Sequence, residues 1–266
     1  MSAISLRRIG ALALRYLYLL RGSWIRTIEL AYWPTVQMIL WGFITQYLAG
    51  HSDVLNQAAG LLLSGVLLWD VLFRSQLGLS VVFFEELHSR NLGQLFISPL
   101  QPLELIMALM LISLVRTLIG VGIAVALAIP FYGFNLFTLG PSLIGFFFNL
   151  ILMGWAIGLM VAALVLRYGM GAESIAWAAI FALAPLCGIY YPVATLPGWL
   201  QPLSWALPAS HVFEGMRAVL LEHIFRLDQL LYALLLNAGY LGLGIGLFLA
   251  AVHQARKRGS LLQSGE

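Results

Sequence analysis

Apolar runs of about 20 residues, the length an α-helix needs to cross the hydrocarbon core of a bilayer, recur along the whole chain. That feature removes most folds at once. In lipid every backbone N–H and C=O has to be satisfied within the protein, so only helices and closed barrels span, and runs of this length belong to helices. Composition agrees: 61% of the 266 residues are hydrophobic and 9% are charged, against roughly 25% charged in soluble domains. The pattern predicts an all-α polytopic membrane protein, a single transmembrane domain over 1–266 with no room for a soluble catalytic domain. Six spans are expected, at roughly 30–49, 58–83, 103–129, 140–166, 173–191 and 229–252.

The connections give the orientation. Arg7, Arg8, Arg15, Arg21 and Arg26 precede the first span, Arg90 follows the second and Arg167 the fourth, while Arg256, Lys257 and Arg258 follow the sixth. The opposite side carries only Arg217 and Arg226. Basic residues stay on the cytoplasmic side, which places both termini there in a multi-pass plasma-membrane protein. The first 26 residues hold five arginines and no A-x-A-like cleavage site, so they do not read as a removed signal peptide.

Two segments break the pattern of spans. In residues 4–21 the four arginines share one arc of a helical wheel, with Leu6, Ile9, Leu12, Tyr16, Leu17 and Leu20 opposite. That predicts a basic amphipathic helix lying in the cytoplasmic interface. Residues 192–228 are apolar but interrupted by Pro192, Pro197, Pro202 and Pro208. Their helical stretches, near 198–206 and 210–223, are too short to cross, and re-entrant helices dipping into the outer leaflet are expected.

Familiar chemistries are missing. A P-loop needs a lysine after its second glycine, and the one lysine here, Lys257, is followed by Arg258. The five histidines are scattered, no H-E-x-x-H occurs, and the lone Cys187 allows no internal disulfide. No catalytic residue, metal site or bound cofactor is expected. Three ionisable residues do fall inside spans: Asp70, Arg74 and Arg116. At the helical rise all three lie roughly 15–20 Å from the cytoplasmic ends of spans two and three, and intramembrane charges pair or face water. Either Asp70 bridges both arginines and pins the two spans together, or Arg116 faces a translocation path and attracts an anionic group such as a lipid phosphate. Trp33, Trp41, Trp69, Trp155 and Trp177 offer rings for stacking on ligands, although tryptophan also collects at membrane interfaces. Gly154–Gly158 and Gly242–Gly246 are spacings that permit close helix approach.

The most charged stretch, "EELHSRNLGQLFISPLQPLEL", lies on the cytoplasmic side between spans two and three. It resembles the Glu-rich segment followed by Gly and Ser-Pro in membrane subunits of type-2 ABC exporters. "YYPVATLPGWLQPLSWALPASHVFEGMRAVLL" is similar to that family's segment before the last span, ending in Pro, an acid and Arg. The resemblance covers essentially the whole chain. It implies a permease subunit that exports a lipid, a drug-like amphiphile or a glycan. A second copy of the chain, two copies of a cytoplasmic ATPase carrying ATP and magnesium, and membrane lipid are its implied partners, with no nucleic acid. On this resemblance residues 84–102 form the hairpin that couples to the ATPase, with Glu85, Glu86, His88, Arg90, Gly93, Ser98 and Pro99 as its coupling residues. Pro208, Glu214 and Arg217 fall at an extracytoplasmic gate. A secondary transporter or channel without an ATPase is the alternative.

Overall fold

The computed structural model describes residues 4–49, 53–132 and 139–258. Among them there is no strand; the chain is a set of helices joined by short turns. They are α1 (Leu6–Arg21), α2 (Trp24–Ala49), α3 (Asp53–His88), α4 (Leu92–Ile97), α5 (Pro102–Tyr132), α6 (Ser142–Tyr168), α7 (Ser174–Leu183), α8 (Gln201–Trp205), α9 (Pro208–Arg217) and α10 (Leu227–Arg258).

Among the described residues four helices are long and apolar enough to cross a membrane: Gly60–His88, Pro102–Phe131, Ser142–Tyr168 and Leu227–Lys257. The first expected span lies within α2, a continuous helix that begins earlier, at Trp24, and takes in Arg26 and Glu29. The fifth departs from expectation. Regular helix stops at Leu183; Ala184 keeps helical dihedrals, and Pro185 after it has no N–H with which to continue the ladder. The chain then turns, and Gly188 takes φ +64°. A side chain there would be strained and its Cβ would stand 3.2 Å from the Tyr191 carbonyl. Beyond it come a 3₁₀ turn (Val193–Thr195), α8, α9 and a π turn (Ala218–Glu222).

α3 and α6 are the centre of the bundle: 72% and 67% of their apolar windows are buried, against 22% for α10. α10 and α3 pack on α6, and α5 and α2 pack on α3. Small residues make the close approaches. A Cβ on Gly154 would run into the Ser75 side chain and stand 2.9 Å from both the Leu72 carbonyl and the Gln76 nitrogen. On the α10 side it is Gly244 that touches, with its Cβ position 2.9 Å from the Ala156 carbonyl, while Gly242 and Gly246 have nothing within 4 Å. The two GxxxG spacings, alike in sequence, therefore differ: the α6 pair lies against α3, and the α10 pair does not face α6.

Without a hydrophobic drive between helices in lipid, polar contacts help to fix register. Ser113 donates to the Ser75 carbonyl (2.7 Å) and accepts from the Trp155 indole (3.1 Å), tying α5, α3 and α6. The Asn237 amide of α10 donates to Asn149 Oδ1 of α6 at 3.0 Å. Apolar packing forms two clusters, one around Leu67, Leu72, Phe146, Leu150 and Phe213 and one around Leu79, Phe83, Leu109, Leu159 and Phe248. Ile9, Leu12 and Tyr16 of α1 belong to the second. Replacing Gly154 by Ala should lower stability by about 1–3 kcal/mol, read as a lower melting temperature of the purified protein in detergent. Gly242→Ala should melt like the parent.

Candidate functional site

The end of the bundle that carries residues 85–104 is built on carboxylates. α3 does not stop where the second span was expected to end, at residue 83; it continues to His88, so Glu85, Glu86 and His88 stand on its last turns and not in a loop. Glu86 is 2% exposed. It receives both terminal nitrogens of Arg15, at 2.7 and 3.3 Å, in a fork. Glu85 pairs with Arg26 at 3.2 Å. Both acids thus turn toward α1 and α2, and the buried Glu86 has no surface to offer a partner.

A third acid, Glu104, completes the set and was not singled out from the sequence. It is fully buried in the first turn of α5. Its carboxylate accepts from Arg8 Nη2 at 2.6 Å, from the Ser5 backbone N–H at 2.8 Å and from the Gln101 N–H at 2.9 Å. That reach back to the residue before Pro102 is the acid half of a capping box, and an acid three positions after a helix start was the available signal. The Glu104 hydrogen bonds hold the Arg8 guanidinium above its ordinary value. A buried carboxylate left unpaired costs several kcal/mol. α1 is therefore docked on the ends of α3 and α5 through two of the arginines that the helical wheel assigned to its polar arc.

α3 closes with Arg90 in the left-handed region, φ +57°. The Asn91 N–H bonds the Glu86 carbonyl and the Arg90 N–H bonds the Leu87 carbonyl, a helix-ending motif in which glycine is usual. The turn throws α4 out below the bundle. Gly93 is buried, but Ile97 is 84% exposed, and Arg90, Gln94, Ser98 and Pro99 are exposed beside it. Ser98 closes α4 by donating to the Leu95 carbonyl at 2.6 Å. His88 approaches Glu173, before α7, at 4.0 Å.

Inside the span, Asp70 and Arg74 form a pair at 2.5 Å, four residues apart on α3. Arg116 takes no part in it. Arg74 instead lies over Gly120 of α5, where a Cβ would stand 2.7 Å from its Nη1. Asp70, Arg74 and Arg116 line one cavity of about 360 Å³ with Arg26, Trp33 and Trp177. The other tryptophans lie elsewhere: Trp69 and Trp155 pack against the core, and Trp41 stacks on Tyr190 at 4.9 Å.

At the opposite end Glu214 and Arg217, on α9, grip the turn after α7. Arg217 donates to the carbonyls of Gly188 (2.5 Å) and Tyr191 (2.8 Å), and Glu214 accepts from the Val193 N–H (2.6 Å) and pairs with Arg217 (3.2 Å). Pro208 starts α9 at its first helical position, where no N–H is missed.

A family model described as ABC-2 type transporter matches residues 16–221, from α1 to the π turn after α9. The chain belongs to the ABC-2 type transporter family. It is thus a multi-pass membrane protein and the permease component of an ABC transporter, a transport subunit, and membership implies an ABC ATPase subunit as partner. A comparison with curated proteins finds no match. In this permease the acid and arginine of the segment before the last span do a definable job, which is to fasten α9 to the 188–193 turn. Arg217→Leu would leave two carbonyls without their donor and the Glu214 carboxylate without its counter-charge. It should destabilise the permease by on the order of 3–5 kcal/mol, lowering the yield of monodisperse protein on size exclusion. Glu214→Gln, which keeps an acceptor for Val193, should be milder.

Proposed function

We propose that the chain is an exporter permease working as a pair of copies on two copies of a cytoplasmic ATPase, which bind the ATP and magnesium. Each copy crosses a bacterial inner membrane six times, with both termini in the cytoplasm. The basic residues favour this orientation, since ten of them precede span one or follow spans two, four and six. α2 has 26 residues, about 39 Å of helix, enough for a first crossing. α7 with the turn to residue 191 forms the fifth, and α8, α9 and the π turn dip into the outer leaflet without crossing. α9 and the turn it grips would act as one body at an extracytoplasmic gate.

The observation that carries this reading is the division of labour at residues 84–102. The acids turn inward onto α1 and α2, whereas α4 presents Ile97 at 84% exposure in a segment otherwise rich in polar groups. An exposed apolar knob ringed by Arg90, Gln94 and Ser98 fits a groove on a second protein. The coupling residues expected from the sequence divide accordingly: Arg90, Ser98 and Pro99 flank the docking surface, His88 stands at its edge, Gly93 is buried, and Glu85 and Glu86 hold the surface in place from behind.

Co-purification tests this. Ile97→Asp should abolish capture of the ATPase subunit and its stimulated hydrolysis while leaving membrane insertion and melting temperature unchanged. Glu86→Ala should instead reduce the amount of folded permease. An Ile97→Asp variant that retains the ATPase at parental levels would remove α4 from the docking role.

A further inference from the structure

The cavity between α2, α3, α5 and α7 contains more than the buried pair. Five charged side chains face it: Arg26, Glu29, Asp70, Arg74 and Arg116. Arg26 is committed to Glu85 and Arg74 to Asp70. Among the described residues Arg116 makes no hydrogen bond or ion pair, and Glu29 shares the cavity with it. Glu29 is exposed and likewise uncommitted. An arginine within a span and without a partner is a costly feature that calls for an account.

Its surroundings supply one. Helical side chains lean toward the N-terminus of their own helix, which for α5 is the cytoplasmic end. Arg116 accordingly also lines a small recess with Arg26 and Glu85. The other wall is aromatic. Trp33 lies two turns past Arg26 on α2, about 10 Å deeper, and Phe73 stands 5.9 Å from Trp177 and 5.8 Å from Phe181 across the α3–α7 gap. Trp33, Trp177 and Phe181 are each more than 40% exposed, so this wall is open to a ligand. A volume of about 360 Å³ lies in the range of sites that take small ligands.

We propose that this cavity binds an amphiphile by a single phosphate head group, the phosphate forked by Arg116 and the apolar chain laid against Trp33, Phe73, Trp177 and Phe181. Guanidinium matches phosphate in two parallel hydrogen bonds, and among the described residues lining this cavity Arg116 is the cation not already paired at contact. Glu29 is the opposing charge that keeps the site from holding its ligand too tightly. As a statement about transported substrate this rests on the permease reading above; as a statement about binding it does not.

The test uses the purified full-length permease without its ATPase. Native mass spectrometry measures occupancy by dioctanoyl phosphatidic acid, by dioctanoylglycerol and by inorganic phosphate. Dioctanoyl phosphatidic acid should bind one per chain and outcompete the other two. Arg116→Gln should weaken it about tenfold or more, Arg116→Lys should weaken it less, Glu29→Gln should tighten it, and Arg226→Gln, outside the cavity, should bind as the parent does. Equal binding of dioctanoylglycerol would overturn the anionic half, and displacement by equimolar inorganic phosphate the amphiphilic half. If Arg116→Gln fails to fold, unchanged affinity in Glu29→Gln and Arg116→Lys would overturn the site by itself. Binding as expected in a chain that never captures an ATPase would retain the site and reject the exporter reading; the reverse result would reject only the site.

Discussion

Carboxylates buried where α3 ends and α5 begins are the constraint from which the rest of this structure follows. Glu86 and Glu104 are 2% and 0% exposed, and each is neutralised by an arginine from α1. Ionised acids so placed cannot stand alone. They require α1 to dock across the ends of α3 and α5, and they make its apolar face part of the core, with Ile9, Leu12 and Tyr16 buried. Glu85, which is half-buried, adds a weaker tie to the start of α2 through Arg26. With its acids used internally, the hairpin presents a short helix on which Ile97 stands 84% exposed. Movement imposed on α4 by a partner would be transmitted to α3 and α5 directly, and to α1 and α2 through the ion pairs.

The transmembrane part is closely packed where it is centred on α3 and α6 and open where α2 and α7 flank the cavity. Gly154, Gly158 and Gly244 let backbones meet, and the Ser75–Ser113–Trp155 and Asn149–Asn237 contacts fix their register. Gly120 performs a different service: it leaves the notch in which Arg74 lies. Among the described residues that placement leaves Asp70 with one partner and Arg116 with none, so the charge surplus of the span collects on one guanidinium facing a cavity.

How much of this was legible depended on whether the deciding interaction was local. The long apolar helices were, because span length is a property of a continuous stretch. The Asp70–Arg74 contact was within reach for the same reason, being four residues apart on one helix. The bridge from Asp70 to Arg116 was not formed, since it turned on how α3 and α5 pack at Gly120. The inward turn of Glu86 depends on Arg15, 71 residues away, and no pattern within "EELHSRN" distinguishes it from an acid facing water. The two GxxxG spacings were indistinguishable until helix rotation decided which faced a neighbour. In the fifth span Pro185 and Gly188 were visible breakers inside an apolar run, and their local preference prevailed over its hydrophobicity.

The claim that most needs testing is that Glu86 serves the chain's own α1 and not the ATPase. Charge reversal tests it most directly: Arg15→Glu, Glu86→Arg and the double exchange, each scored for folded yield and for ATPase capture. Each single reversal should lose folded permease, and the double exchange should recover both folding and capture, because the pair is internal and the partner never reads its polarity. A double variant that folds like the parent yet fails to capture the ATPase would contradict the account, since it would show that the partner itself reads the carboxylate of Glu86.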